Sequence, residues 1–417
     1  MNLISYNLIG YLLLPVMLLR LLFKGFKSIG YRQRIGERLG FVNAIQADVI
    51  WVHCVSVGEF RAAIVLIDAL IAQYPNDKIL VTSTTPTGSK AIIEYYQSKV
   101  LHCYFPFDLP LVITHYLRKI NPRICLLLET EIWPNLVYSL NKNNVPTLLV
   151  NARLSSRSLA KYQKFAPKLV KKTLNKFTLI AAQNKNSADR FAQLGVNNSK
   201  ITIAGNIKFD QNTSIDLALS EKLKTIAGHR KIVVFASTHK GEEAQIINAY
   251  LSNPIDALML IVPRHPERFG EVYDFVKKSG LKIYKRSNNQ FCADCQVLLG
   301  DSMGEMMAYF AVADIVFMGG SLVATGGHNM LEPAALSKPI LFASNVFNFS
   351  EISTDLLAQN ACIQVQNADE LLIEIVELLN NEEKAKTLGE NANRYFKSQQ
   401  GAVDNLIKQI KLLETFA

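Results

Sequence analysis

The chain has 417 residues, 49% of them hydrophobic, enough for two ordinary domains with a core each, which excludes a disordered or fibrous protein. Its formal charge of +10 asks for an anionic partner, yet no aromatic-interleaved basic motif and no recognition-helix pattern accompanies it, so nucleic acid is not the expected one. Six scattered cysteines (Cys54, Cys103, Cys125, Cys292, Cys295, Cys362) fit reduced thiols; Cys292 and Cys295 make a CxxC, but no second pair or nearby histidine pair completes a zinc set, and no metal site is expected.

The first predicted element is a membrane segment. Leu3 to Phe23 is almost wholly apolar, broken mainly by Asn7 and Arg20, and is about as long as a bilayer core requires. Lys24, Lys27, Arg32, Arg34 and Arg38 follow, opposed only by Glu37. That cluster lies on the wrong side of the apolar run for a cleaved signal peptide, so the segment reads as a retained anchor with the rest of the chain on the cytoplasmic side. The basic residues after it are expected to meet an anionic lipid surface.

From about Asp48, short apolar runs alternate with amphipathic stretches, the pattern of parallel sheets covered by helices, so the fold class is α/β. The first set of predicted strands is Val49 to Val55, Ile79 to Ser83, Ile124 to Leu128, Thr147 to Val150 and Leu179 to Ala182. The second is Lys231 to Ala236, Leu258 to Val262, Cys295 to Leu299, Ile315 to Met318 and Ile340 to Phe342. The boundary falls between Gly205 and Gly228, giving an anchor with its basic flank (1–30), a first domain (31–210) and a second (211–417) that includes the closing helical stretch.

The polar constellations follow the strands. Ser56-Val57-Gly58-Glu59-Phe60-Arg61 opens a helix, and Glu59 in its first turn is either a dipole partner of that helix or, if Gly58 permits a tight turn, an accessible general base. Thr82 to Ser89 is a hydroxyl-rich helix N-cap whose groups also suit anion or sugar contacts. Glu129 and Glu131, ahead of Ile132-Trp133-Pro134, would cap the next helix or hold a polar substrate. Lys208, in Gly205 to Asp210, reaches a charged group or is a solvated linker charge. In the second half, Arg264 is placed on a phosphate by the paired donors of its guanidinium, with His265 and Arg268 assisting or ordering the turn. Glu305 is either the capping-box mate of Ser302 or a nucleotide contact. Gly319, Gly320, Gly326 and Gly327 lack Cβ atoms, so either their N–H groups cradle a phosphate at a helix N-terminus, with Glu332 just inside that helix on a ribose, or this is an ordinary strand-turn-helix unit with incidental glycines; the first is expected.

Seven motifs, VSVGEF, ETEIWPN, NARLS, GNIKFD, PRHPERF, GDSMGEM and GGSLVATGGHNMLEPAA, in this order behind an apolar anchor, resemble the 3-deoxy-D-manno-octulosonic acid (Kdo) transferases of lipopolysaccharide assembly across essentially the whole chain. The resemblance implies a GT-B glycosyltransferase of two Rossmann-like domains facing across a cleft, at the cell inner membrane. It implies transfer of Kdo from CMP-Kdo to the lipid A precursor lipid IVA with inversion, in many members twice, without cofactor or metal. Carried onto matching positions, Glu59 would be the base, with Lys208 and one of Glu129 and Glu131 stabilising the transition state. Ser56, Gly58, Arg61 and Thr84 would contact the acceptor. CMP would lie around Pro263, Arg264, His265, Met303, Gly304, Glu305, Gly320, Asn329, Met330, Leu331 and Glu332. Where the family pattern has proline after the asparagine, this chain has Met330, with the spacing of Asn329 to Glu332 kept. Two rival readings are a non-catalytic nucleotide- or lipid-binding protein and a GT-B transferase using a UDP-sugar.

Overall fold

The computed structural model describes residues 1–211, 214–288 and 294–415; Cys292 of the CxxC lies outside the described residues. The chain forms two compact units, Met1–Gln211 with Gln400–Ala417, and Asn212–Gln399.

Seven parallel strands build the first unit: β1 (Val49–His53), β2 (Lys78–Ser83), β3 (Leu101–Tyr104), β4 (Pro122–Leu128), β5 (Thr147–Ala152), β6 (Leu179–Ala182) and β7 (Ile201–Ile203), in the order β3-β2-β1-β4-β5-β6-β7. A central strand covered on both faces reads as a near-continuous apolar run, and β1 does up to its last residue, buried His53: Ile50 and Val52 enter one core, Val49 and Trp51 the other, all fully buried. Strand order reverses between β1 and β4, and the loops leaving their carboxyl ends carry Glu59 and the pair Glu129 and Glu131, the position where open α/β sheets bind ligands.

The second unit repeats the plan with β8 (Lys231–Thr238), β9 (Ala257–Pro263), β10 (Ile283–Lys285), β11 (Val297–Leu299), β12 (Ile315–Met318), β13 (Ile340–Ala343) and β14 (Ile363–Val365), ordered β10-β11-β9-β8-β12-β13-β14 and again parallel. Its reversal lies between β8 and β12, where the His239 and Gly319 loops begin.

Two expectations about the ends of the chain are corrected. The closing helix, Ala402–Thr415, belongs to the first unit: Ala402, Val403, Leu406 and Ile410 complete the core beside β1 and β4, and both Asp210 carboxylate oxygens accept from the N–H groups of Gly401 and Val403, each at 2.7 Å. The basic flank does not simply face lipid. Arg38 is buried, donates to the Thr84 carbonyl at 2.9 Å and lies over the Tyr104 ring, while Arg34 binds Glu37, the Ser89 hydroxyl and the His102 carbonyl. Arg32 folds back over Phe26 and donates to the Leu22 carbonyl. These cations are consumed in docking the segment after the apolar helix onto the β2–β3 edge.

Candidate active site

In the first unit the turn after β1 is built around one residue, Val55. Ser56 caps the helix Val57–Gln73, its Oγ accepting from the Glu59 N–H at 3.5 Å, and the Glu59 carboxylate reaches back to accept from the Val55 N–H at 2.8 Å. The Val55 carbonyl accepts from the hydroxyls of Ser83 (3.0 Å) and Thr84 (2.9 Å) and from the Thr84 N–H (3.2 Å). Thr84 therefore anchors the loop that presents Glu59, and its hydroxyl is already engaged. Gly58 does not serve the turn, since its φ lies outside the left-handed region. A Cβ there would meet only the Ser56 Oγ at 3.8 Å, so the glycine leaves open surface in front of Glu59. Arg61 is exposed on the next turn.

Burial is the main reason the Glu59 carboxyl is pushed up to about 8; the Val55 N–H and Lys208 favour its charged form, and Glu129 and Glu131 oppose it. Glu131 is pushed up to about 7 by burial and by Glu129. Glu129 itself adopts the left-handed region (φ 55°) directly after β4, and its Oε1 lies 3.5 Å from Lys208 Nζ. Lys208 is not a free linker charge. Asn206 caps its short helical turn, and buried Asn151, at the end of β5, accepts from the neighbouring Ile207 N–H at 3.1 Å. Asn151, the first residue of the NARLS motif, thus fixes the peptide that aims Lys208.

In the second unit the expected phosphate cradle is already filled from within. The buried Glu242 carboxylate accepts from the N–H groups of Gly320 (2.7 Å), Ser321 (3.0 Å), Leu322 (2.9 Å) and His239 (2.8 Å). Gly320 thus has its N–H turned to protein, and no motif suggested Glu242. Met330 and Leu331 are buried, leaving only their backbones to face a ligand, while Asn329 Nδ2 donates to Glu332 at 3.0 Å. The helix that follows is short, Leu331–Ala335.

Pro263 closes β9, and Arg264 follows with its N–H on the Thr238 carbonyl. Arg268 orders this turn through a bidentate bond to Glu243, at 2.7 and 2.9 Å. His239 Nε2 lies 2.8 Å from His328 Nε2 with the rings stacked, and His265 meets His239 edge-on. Burial, then His239, Arg264 and His265, holds His328 down at about 4, so it is neutral beside Arg264. Glu305 accepts from Arg286 and Tyr309, both at 2.7 Å, and from the Ser302 hydroxyl. Because the helix starts only at Met306, no capping box forms. Gly304 does need its glycine (φ 86°), with nothing within 4 Å of a Cβ there, and Met303 beside it is exposed.

The comparisons with known proteins agree with this layout. Residues 33–211 match the family model described as 3-deoxy-D-manno-octulosonic-acid transferase (kdotransferase), and residues 282–395 match glycosyl transferases group 1. The chain is 39% identical over 395 residues to the 3-deoxy-D-manno-octulosonic acid transferase of Haemophilus influenzae, covering 92% of each. It is 31% identical over 389 residues to that of Bordetella pertussis, covering 88% of each. Among solved structures, the UDP-GlcNAc 2-epimerase of Neisseria meningitidis bound to UDP-GlcNAc superposes with a TM-score of 0.58 at 14% identity, over 87% of this chain and 99% of that one, a likeness of fold alone. The paired Rossmann-like units are those of the GT-B class.

Proposed function

Since the chain belongs to the 3-deoxy-D-manno-octulosonic acid transferase family, we propose that it moves Kdo from CMP-Kdo onto the lipid A precursor lipid IVA, once and then again, in lipopolysaccharide biosynthesis. The apolar Leu3–Lys27 helix keeps it at the cytoplasmic face of the inner membrane. The observation that carries the reading is Glu59: a carboxyl pushed up to about 8 on a pinned turn, with open surface beside it.

The chemistry follows from that group. An alcohol of the acceptor sugar is a poor nucleophile. As its oxygen bonds to the anomeric carbon of Kdo, the Glu59 carboxylate takes the hydroxyl proton, the bond from that carbon to the phosphate oxygen breaks, and CMP leaves with the electron pair. Attack opposite the leaving group inverts the centre. A base with a raised pKa holds the proton more firmly once it has it, at the cost of being largely protonated at pH 7. Lys208, held against Glu129, supplies positive charge beside the carboxyls of the first unit, and Arg264 meets the charge on the departing phosphate without a metal ion. Met303, Gly304, Asn329 and Glu332 form the rest of the CMP site.

Incubation with CMP-Kdo and lipid IVA, followed by mass spectrometry, tests donor, acceptor and number of transfers together. A product without added Kdo overturns the reading, and a single addition overturns the second step alone. Lys208→Met is expected to lower kcat roughly 10²-fold with CMP affinity unchanged; wild-type turnover in that variant would remove Lys208 from the mechanism. Gly58→Ala separates space from stability. Because Gly58 lies in a helical turn with room for a methyl, the melting temperature should hold or rise, by up to about 1 kcal/mol of stability, while KM for the acceptor climbs. An unchanged KM would show that the acceptor does not use that surface.

A further inference from the structure

The apolar Leu3–Lys27 helix is long enough to span a bilayer, but the first unit holds it at both ends. Near its start, the Tyr6 hydroxyl donates to Asp108 at 2.9 Å, Leu3 and Tyr6 pack on the core, and Gly10 passes so close to Leu109 that a Cβ would stand 2.8 Å from it. Asp108 is in turn buried and accepts from the N–H groups of Asn135 and Leu136, so this tie reaches the framework of the sheet. Past the other end, Gly30 abuts Pro86, and Arg34 and Glu37 bind the β3 edge. A helix of 25 residues rises about 37 Å, and a span would place its ends on opposite sides of a hydrocarbon core about 30 Å thick. One rigid sheet cannot hold both ends of such a span.

Burial along the helix has the matching period. Ser5 and Tyr6 are partly covered at its start, and from Asn7 onward the covered residues, Asn7, Gly10, Leu14, Leu18, Leu21 and Gly25, are spaced by three and four and so share one face, with Arg32 covering Gly25. The opposite face is bare and apolar: Ile4, Leu8, Leu12, Leu19, Phe23 and Phe26 are all exposed. Leu111, two residues beyond Leu109 on the body, is exposed as well. At 3.6 residues per turn, Arg20 and Lys24 fall together on one flank of that face, where their stems can lie along lipid and their charges reach head groups.

We propose that this helix lies in the plane of the membrane surface, its Ile4–Leu12–Phe23 face sunk into a single phospholipid leaflet, and does not cross the bilayer. The inference refines the membrane attachment of the preceding section and is independent of which sugar is moved. It makes the enzyme monotopic, with the first unit's β2–β3 side held down at the head-group level.

Depth measurement tests it. Ile4→Cys, Leu12→Cys and Phe23→Cys are made singly in the full chain carrying Cys292→Ser; the other five cysteines are buried. Each is labelled with an environment-sensitive fluorophore and bound to vesicles of phosphatidylethanolamine and phosphatidylglycerol containing lipids spin-labelled at shallow or deep acyl positions. The three sites should be quenched alike, and several-fold more by the shallow label than by the deep one. Strongest deep quenching at Leu12→Cys, with shallow quenching at the other two, would show a span and overturn the proposal; absence of quenching at all three would overturn it equally. Kdo transfer measured on the same samples reports separately on the enzymatic reading.

Discussion

Glu59→Gln is expected to lower kcat for Kdo transfer by roughly 10²- to 10⁴-fold while leaving CMP affinity within about twofold of the parent. The amide matches the carboxylate in shape and its oxygen can still accept from the Val55 N–H, so the turn should persist and the loss would be chemical. The pH profile supplies the second half of this expectation. A group with a folded pKa of about 8 is only about one-tenth ionised at pH 7. Turnover needs the ionised form, so kcat/KM should climb about tenfold per pH unit below that value and level above it. Glu131, pushed up to about 7 and interacting with Glu59, broadens the climb, so the apparent values belong to the set of carboxyls. Residual activity of the Gln variant should lose this limb. Parent-like turnover in the variant, or a flat parent profile from pH 6 to 9, would remove Glu59 from the role of base.

The largest effect in the second unit should come from Glu242→Ala. Its two oxygens serve four N–H groups on two loops, and truncation strands buried donors at roughly 1–3 kcal/mol each, non-additively. A net loss of about 4 kcal/mol corresponds to a fall in melting temperature on the order of 10 °C for a unit of this size. The freed glycine loop should also lose its shape, so CMP binding measured by calorimetry should weaken more than tenfold. A variant that melts and binds like the parent would mean the loop is held by its other contacts, such as the Thr325 hydroxyl on the Gly320 carbonyl.

How much of this was legible beforehand depended on whether the cause was local. Ten strands were expected from apolar runs, and all ten form; the four not foreseen, β3, β7, β10 and β14, are the outer strands of the two sheets. Outer strands are short and half-wetted, so His102 in β3 or Lys285 in β10 dilutes the apolar signal that interior strands must carry. The acidic residues at the sheet reversals could be read because they lie within six residues of a strand end, Glu59 after β1 and Glu129 and Glu131 after β4. Glu242 could not: it lies 78 residues from Gly320 in sequence and, inside Gly-Glu-Glu at a helix start, looks like an ordinary dipole partner. The same non-locality misled the reading of Arg34 and Arg38. Their clustering suggested lipid, whereas the acceptors that claim them, the carbonyls of Thr84 just after β2 and of His102 in β3, come from much later in the chain.

The return of Ala402–Thr415 to the first unit makes the second unit an insertion within its neighbour. Severing the polypeptide near residue 211 would not liberate an intact amino-terminal fragment. It would strip Leu406 and Ile410 from a core that Ile50 and Leu126 need, and leave the Asp210 carboxylate without its two partners. Chimeras that exchange the second unit among relatives must therefore be spliced at two junctions, near 211 and near 400, and carry the native tail with the first unit.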